Sequence, residues 1–150
     1  MPVSTDLNDY RFRTSLRVRL SETDAVGVVF FGSFSQYMDL GRMDYLDALG
    51  LDGVAGRATA MPPGVVVRSS VDFKSPARYR DSLDVNVRIS EFGTSSYTWE
   101  FLFRDQRSPR VVALGSMVQV WVNADLKPEP LPKEFREQVG AFEGRSLSSN

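Results

Sequence analysis

Residues 33–50, SFSQYMDLGRMDYLDALG, decide the fold of this chain. Apolar or small residues recur in this stretch every three or four positions, which is the spacing of one face of an α-helix. They are Phe34, Tyr37, Met38, Gly41, Tyr45 and Leu49. Ser33 is a favoured N-cap, Gln36 completes a capping-box pattern, and Gly50 stands where a C-cap glycine is expected. The stretch therefore predicts one long helix, and the costly glycine at position 41 indicates close approach of another backbone.

Strand patterns flank this helix on both sides. Residues 14–20 alternate apolar and polar side chains, as a half-buried strand does. A connection over residues 51–61 follows the helix, and after it the sequence favours strands. The four strands expected there are Gly64–Phe73, Ser82–Glu91, Ser96–Arg104 and Arg110–Val122, and the aromatic side chains expected on one face are Tyr97, Trp99, Phe101 and Phe103. A short helix over residues 132–140 and a frayed tail from Gly144 complete the expected elements.

One long helix must therefore cover a sheet of about five strands. A curved antiparallel sheet wrapped around the helix buries the most apolar surface with these parts, so the expected fold class is α+β. The 150 residues predict one domain spanning positions 1–150, with short mobile tails. An uncovered sheet face or edge would still need shelter, which predicts oligomerisation.

The composition argues against several classes of protein. No run of about 18 apolar residues is present, so no membrane-spanning helix is expected. The first ten residues lack the basic start and apolar stretch of a secretory signal, which favours a cytoplasmic location. The net charge of −1 gives no basic excess, so no nucleic-acid partner is expected. Two modest basic clusters are interpreted as solvated strand faces and loops; they are Arg11, Arg13, Arg17 and Arg19, and Lys74, Arg78 and Arg80.

The chain contains no cysteine and no histidine. Disulfides, a thiol nucleophile and thiolate metal sites are thereby excluded. The Ser-His-Asp arrangement and nearly all zinc-site types are excluded as well, and neither a metal nor a cofactor is expected. Acid-base chemistry must then come from Asp, Glu, Lys or Tyr, and a carboxylate is the first candidate.

Two blocks of the sequence resemble a known family. The blocks are Thr23-Asp24-Ala25-Val26-Gly27-Val28-Val29-Phe30-Phe31 and Val71-Asp72-Phe73-Lys74-Ser75-Pro76-Ala77-Arg78-Tyr79-Arg80-Asp81. Together they resemble the Asp-containing loop and the strand-to-turn motif of the 4-hydroxybenzoyl-CoA thioesterase family, and the resemblance spans residues 13–138. It implies the hot-dog fold, in which a curved antiparallel sheet wraps around one long helix, and it implies hydrolysis of an acyl-CoA thioester.

The first block also makes chemical sense by its own residues. Asp24 lies on a loop that leads into a helix N-terminus, where unpaired N–H groups and the helix dipole can polarise a carbonyl oxygen. Gly27 permits a ligand to approach the backbone closely. Asp24 could attack a thioester carbonyl or act as a general base on water, and the residues leave both routes open. The alternative is that Asp24 is only a cap or turn residue ahead of the helix.

The resemblance implies roles for individual residues. The catalytic carboxylate falls on Asp24, and the backbone N–H that holds the thioester carbonyl falls on Phe31, where relatives often carry Tyr or His. The expected substrate contacts are Gly27, Val28, Gly32, Arg68, Lys74 and Arg78. The arginines and the lysine among them, with Arg104, Arg107 and Arg110, are candidate cations for CoA phosphates. On the helix, an ion pair between Asp39 and Arg42 is favoured over a substrate contact. Asp39 or Asp44 would be the fallback carboxylate.

The acyl group and its carrier are left open. Several relatives carry a run of basic residues after the third strand to hold the CoA nucleotide, whereas residues 91–95 of this chain contain no cation. An acyl-carrier-protein thioester, in polyketide or fatty-acid metabolism, is therefore one alternative substrate. A non-catalytic module that binds acyl thioesters is another alternative.

An aromatic or a medium-chain acyl group would suit an apolar pocket. The residues expected to line it are Phe30, Tyr37, Met61, Val65, Val66 and Val67. The Val-Val-Phe-Phe stretch and a late Pro-Leu-Pro resemble the dihydroxynaphthoyl-CoA thioesterase branch. Relatives form dimers or tetramers with the active site at a subunit boundary, which implies a homodimer or homotetramer here.

Overall fold

A computed structural model describes residues 2–51 and 64–147 of the chain. Its strands are β1 (Phe12–Arg17), β2 (Gly64–Phe73), β3 (Ser82–Phe92), β4 (Ser96–Asp105) and β5 (Val111–Trp121), and its helices are α1 (Ser33–Ala48) and α2 (Lys133–Glu143). The five strands form one antiparallel sheet in the order β1-β3-β4-β5-β2. The expected α+β class, and the order of one strand, one long helix and four strands, are confirmed. Apart from Leu51, the connection expected over residues 51–61 lies outside the described residues.

The core lies between α1 and the inner face of the sheet. The helix face expected from the sequence is buried, apart from Leu49, which is half-buried. The row of aromatic residues expected on β4 is also confirmed, since all four side chains are at most 2% exposed. Edge-to-face ring contacts join the two layers, with centroid distances of 5.1 Å for Tyr45–Trp99 and 5.3 Å for Phe34–Phe103. Such contacts add to the burial of apolar area.

The N-terminus of α1 differs from the expectation. Gly32 is the N-cap, Ser33 is the first helical residue, and no side chain caps the helix, so the expected capping box with Gln36 is wrong. The Ser33 hydroxyl instead donates to the carbonyl oxygen of Glu22 at 3.0 Å. The Ser33 side chain therefore bonds to a residue ahead of the loop and not to the first turn of its own helix. The C-terminal expectation holds, because Gly50 follows the C-cap Leu49 with a φ of +74°.

Two boundaries also differ from the sequence pattern. β1 ends at Arg17 because residues Leu20–Glu22 form a short 3-10 turn ahead of the loop. The tail expected to fray from Gly144 is ordered as far as Leu147, whose side chain is 5% exposed and whose carbonyl accepts the Phe92 N–H at 2.6 Å. Burial of one apolar side chain is enough to hold this polar segment.

The N-terminal segment covers part of the outer face of the sheet. Tyr10 packs there against Leu102 and Leu114 in a second apolar cluster. Beside it, Arg88 and Glu100 form a buried ion pair at 2.8 Å. The chain therefore shelters much of this face itself, and the edge strand β2 stays exposed on both faces along most of its length.

Gly41 allows α1 to lie close to the sheet. A Cβ atom at this position would lie 2.9 Å from Cγ2 of Val87 and 3.1 Å from Cγ1 of Val85. The close approach expected from the sequence is therefore made by side chains of β3 and not by another backbone. Both valines are fully buried and stiff at χ1, so neither can move aside easily.

We expect Gly41→Ala to destabilise the fold by about 1–3 kcal/mol, because overpacking outweighs the higher helix propensity of alanine. Gly140→Ala is the matched control, since it is the same change inside α2 with no atom within 4 Å of the new Cβ. That variant should gain about 0.5–1 kcal/mol. Urea unfolding monitored by circular dichroism gives both values, and equal stabilisation by the two changes would contradict this packing account.

Candidate active site

Asp24 sits in a tight turn between β1 and α1. Its N–H donates to the Val28 carbonyl at 2.8 Å, and its carbonyl accepts the Gly27 N–H at 3.0 Å. The carboxylate oxygen Oδ1 accepts the Val26 N–H at 2.9 Å and, more weakly, the Val28 N–H at 3.4 Å. Asp24 therefore has the turn role considered from the sequence. Within the described part of the chain Oδ2 accepts no hydrogen bond, so the half-buried carboxylate keeps one oxygen for other contacts.

Residues of the two sequence blocks line one cleft of about 420 Å³. Its lining residues are Asp24, Val28, Val29, Phe31, Phe34, Phe73, Lys74, Ser75, Pro76 and Ala77. The Val29 N–H donates to the Ala77 carbonyl at 2.7 Å, and Val28 forms an antiparallel bridge with Arg78. Backbone pairing between distant segments thus builds the cleft.

Phe31 supplies a backbone donor on the wall that carries Asp24. Its N–H makes no hydrogen bond to any of the described residues, and it lies one residue ahead of the N-cap of α1. Its ring is 68% exposed and contacts Phe30 with centroids 4.5 Å apart. A free N–H at the positive end of a helix, lining the same cleft as a carboxylate, can stabilise a developing oxyanion.

Glu22 anchors the loop to α1. Its side chain is 8% exposed and accepts hydrogen bonds from the Arg19 N–H at 2.8 Å, the Arg19 guanidinium at 2.8 Å and the Tyr37 hydroxyl at 2.9 Å. Its backbone carbonyl accepts the Phe30 N–H at 2.9 Å and the Ser33 hydroxyl. Burial alone would raise the pKa of Glu22, but the donors on Arg19 and Tyr37 outweigh it and lower that pKa overall. The sequence reasoning missed this residue.

We expect Glu22→Gln to destabilise the protein at neutral pH by about 1–3 kcal/mol, because buried donors lose a charged acceptor. A carboxyl group whose pKa is lower in the folded state stabilises that state above its unfolded pKa, and this contribution disappears as the pH falls. The difference in melting temperature between wild type and variant should therefore narrow from pH 7 towards pH 3. A difference that stays constant across this range would show that Glu22 is not an ionised anchor.

The predicted cations lie in three different places. Lys74 lines the cleft with Asp24, as a substrate contact would require. Arg78 reaches the cleft wall only through its backbone bridge to Val28, and its side chain is exposed beyond it. Arg68 is not brought to this cleft: it lines a separate outer-face cavity of about 570 Å³ with Arg88 and other polar residues. The cause is strand alternation, which turns Arg68 away from the face of β2 that carries Phe73.

The two predicted glycines shape the loop. Gly27 has a φ of +92°, which few other residues adopt, and a Cβ there would meet nothing within 4 Å. Glycine is therefore needed at position 27 for its backbone conformation. Gly27 does not line the cleft itself. At the N-cap Gly32, a Cβ would lie 2.5 Å from the Phe30 ring. Glycine there lets Phe30 fold back over the start of α1.

The helix carboxylates do not line this cleft. Asp39 pairs with Arg42 at 2.8 Å, which confirms the expected i,i+3 ion pair. Asp44 accepts the Thr14 hydroxyl at 2.7 Å on the side of α1 that faces β1. Arg110, predicted as a phosphate contact, pairs instead with Asp105 at 2.6 Å.

The apolar wall of the cleft is formed by other residues than those predicted. Phe34 and Phe73 line it and contact each other with ring centroids 5.4 Å apart. Tyr37 is buried beneath the loop, where its hydroxyl donates a hydrogen bond to the Glu22 carboxylate. The valines at 65–67 are exposed on β2, and Met61 lies outside the described residues.

Two further features, metal binding and membrane crossing, concern the described residues as a whole. Across residues 2–51 and 64–147, no group of three or more His, Cys, Asp or Glu side chains is placed to hold a metal ion. Neither helix in these two ranges has the length and apolar character needed to cross a membrane.

The curved antiparallel sheet around one long helix, with a carboxylate loop at the helix N-terminus, defines a hot-dog protein of the thioesterase class. The chain belongs to the thioesterase-like superfamily, whose family model matches residues 18–139. The recognised family, the expected fold and the expected enzyme class of thioester hydrolases are thereby confirmed.

Three relatives illustrate the range of the family. A thioesterase from Thermus thermophilus, solved in complex with coenzyme A and Zn, superposes with a TM-score of 0.81 and 32% identity over 93% of this chain and 98% of that one. The chloroplastic acyl-acyl carrier protein thioesterase ATL3 of Arabidopsis thaliana is 31% identical over 85% of this chain, which spans 66% of the length of that protein. The 1,4-dihydroxy-2-naphthoyl-CoA hydrolase of a Synechocystis strain is 25% identical over 85% of this chain and 94% of its own length.

Proposed function

We propose that this chain, as a single domain over residues 1–150, hydrolyses an acyl-CoA thioester to the free acid and CoA. The acyl group is aromatic or of medium chain length. The observation that carries the proposal is that one cleft is lined by Asp24 and by Phe31, whose backbone N–H makes no hydrogen bond to a described residue. The relatives named above, which include a CoA-bound thioesterase and a naphthoyl-CoA hydrolase, support this substrate class.

The geometry supports a reaction in which the thioester carbonyl lies between Asp24 and the start of α1. The Phe31 N–H and the helix dipole would hold the carbonyl oxygen and stabilise its negative charge in the tetrahedral intermediate. Phe34 and Phe73 would accommodate the acyl group. Val28 and Gly32 would shape the loop around it, with the turn at Gly27 fixing the position of Asp24.

Asp24 can act in either of two ways. As a nucleophile it would displace the thiolate of CoA and form a mixed anhydride, which water then cleaves to return the carboxylate. As a general base it would take a proton from water while that water attacks the thioester. In both routes the thiolate leaves and is protonated by solvent. Lys74 on the cleft wall and Arg78 beyond it are the cations available to the CoA phosphates, while the outer-face position of Arg68 does not favour it for this role.

We expect Asp24→Asn to lower kcat at least about 100-fold, because the amide can neither attack nor accept the proton effectively. Release of free thiol from a panel of aromatic and medium-chain acyl-CoA substrates measures the effect. The matched control is Asp39→Asn, the same change at an exposed position on α1 outside the cleft. Phe31→Ala should keep kcat within a few-fold, since the backbone N–H remains.

The outcomes of this experiment separate the candidate carboxylates. Full activity in Asp24→Asn with loss in Asp39→Asn would move the chemistry to the helix. Loss in Phe31→Ala as large as that in Asp24→Asn would mean that the ring, and not its N–H, is required.

A carrier-protein thioester is the second candidate substrate. The 31% identity to an acyl-acyl carrier protein thioesterase favours it. The turn at residues 91–95 also favours it, because it carries no cation of its own. The guanidinium that reaches this turn, from Arg136, donates to the carbonyl oxygens of Gly93 and Thr94 at 2.7 and 3.1 Å.

We also propose that the chain forms a homo-oligomer, a dimer or a homotetramer, through the edge of β2. Among the described strands it has β5 as its sole neighbour in the sheet, and it exposes Val65, Val66 and Val67 at 40%, 40% and 60%. A long apolar edge of this kind favours pairing with a second copy. Phe73, on the cleft wall and at the far end of the same strand, is 53% exposed, so such pairing would bring a second subunit to the cleft.

We expect the double change Val65→Lys and Val67→Lys to convert the oligomer to a monomer, because edge lysines disfavour strand pairing. Light scattering coupled to size-exclusion chromatography measures the mass. Leu126→Lys is the control, since Leu126 is a 70% exposed apolar residue on the turn after β5 and not on the edge strand itself. An unchanged mass in the double variant would exclude β2 as the contact.

A further inference from the structure

Two basic clusters that are about 60 residues apart in the sequence meet on one surface. We name the surface formed by Arg17, Arg19, Leu20, Tyr79 and Arg80 the basic patch; it surrounds an open depression of about 470 Å³. The end of β1 and the turn before β3 are joined there by two backbone hydrogen bonds. The Val18 N–H donates to the Asp81 carbonyl at 2.9 Å, and the Arg80 N–H donates to the Val18 carbonyl at 3.0 Å.

The charge of the basic patch is only partly neutralised. Arg19 pairs with Glu22, but no carboxylate among the described residues forms an ion pair with Arg17 or Arg80. The neighbouring Asp81 carboxylate is occupied by the Arg78 N–H at 2.8 Å and lies 3.9 Å from Arg110. The chain as a whole has a net charge of −1, so this surface concentrates positive charge against the overall balance. Such segregation attracts an acidic partner.

Arg80 holds a backbone conformation that suits glycine. Its φ is +71°, in the left-handed region where a long side chain is uncommon. Its guanidinium lies over the Tyr79 ring, 5.0 Å from the centroid. This strained conformation is a reason to look for a function at Arg80, and here it accompanies a cation held over an exposed ring.

The basic patch lies close to the cleft. Arg80 follows the cleft-lining residue Ala77 by three positions, so their Cα atoms are at most about 11 Å apart. On the other side, the turn at Leu20–Glu22 leads within two residues to Asp24. The same two segments therefore build both the patch and the cleft.

We propose that the basic patch is the docking surface for an acidic acyl carrier protein, which presents its pantetheine thioester to the Asp24 cleft. This inference rests on the proposed thioesterase function and on the second candidate substrate, the carrier-protein thioester. The patch suits a protein better than a nucleotide, because it is open and combines arginines with Leu20 and Tyr79, which are 67% and 45% exposed. Arginine and aromatic residues with apolar neighbours are typical of protein interfaces.

The test compares two substrates that differ only in the carrier: octanoyl groups loaded on a bacterial acyl carrier protein and on CoA. The double variant Arg17→Glu and Arg80→Glu should lower kcat/KM for the carrier-bound substrate at least about tenfold, mainly through KM, and leave octanoyl-CoA turnover unchanged. The loss should shrink as salt is added, because exposed charges are screened. Lys127→Glu with Lys133→Glu is the control of equal charge, since both lysines lie near the opposite end of the sheet.

A second variant and a binding measurement keep the test decisive. Arg80→Gly relieves the backbone strain, so it should keep or raise the melting temperature while weakening affinity for the carrier protein, measured by fluorescence anisotropy. Equal losses on both substrates would assign the patch to the CoA phosphates and overturn the proposal. So would equal losses in the patch and control variants, or no measurable binding of the carrier by wild type. Binding that depends on the patch without any thioester hydrolysis would support docking and overturn the proposed catalytic function instead.

Discussion

The carboxylate of Glu22 is the contact on which the rest of the site depends. The carboxylate accepts hydrogen bonds from Arg19 and from Tyr37 of α1. The backbone carbonyl of Glu22 accepts hydrogen bonds from the Phe30 N–H and the Ser33 hydroxyl. One residue therefore fixes the direction in which the loop enters the helix. A buried carboxylate is stable only when its acceptor sites are filled, and here the filling groups come from both sides of the loop. The position of Asp24, two residues further on, follows from this anchor.

The second constraint is the pairing of two distant backbone segments. The Val29 N–H bonds to the Ala77 carbonyl, and the wall beyond it is held by Arg110, which donates to the Ser75 hydroxyl at 2.9 Å and to the carbonyl of Pro76. With no histidine in the chain, the proposed chemistry relies on the Asp24 carboxylate and on backbone donors. Backbone donors are useful only if they are held rigidly in place. Rigidity of these two walls would therefore support the proposed chemistry.

Local patterns predicted the elements well because their causes are local. The spacing of apolar residues predicted α1, and alternation predicted the aromatic face of β4, since helical and strand periods differ clearly. The local pattern predicts Ser33 as a cap, but the Ser33 hydroxyl bonds to the carbonyl oxygen of Glu22, eleven residues earlier in the chain. Glu22 itself gave one indirect signal: Tyr37 has a polar tip on a buried helix face and needs a partner there.

The candidate site was predictable where its residues belong to a continuous sequence block. It was not predictable where a residue's position in the cleft depends on which face of a strand its side chain occupies. Asp24 and Lys74 meet in the cleft, whereas Arg68 turns to the outer face of the sheet. The composition does not distinguish one arginine from another, but the fold places them in different surroundings. Some of them, such as Arg88 and Arg110, satisfy carboxylates within the described structure. Arg17 and Arg80 form no ion pair there, and their free charge near the cleft is the reason for proposing a binding surface in place of ordinary solvated strand ends.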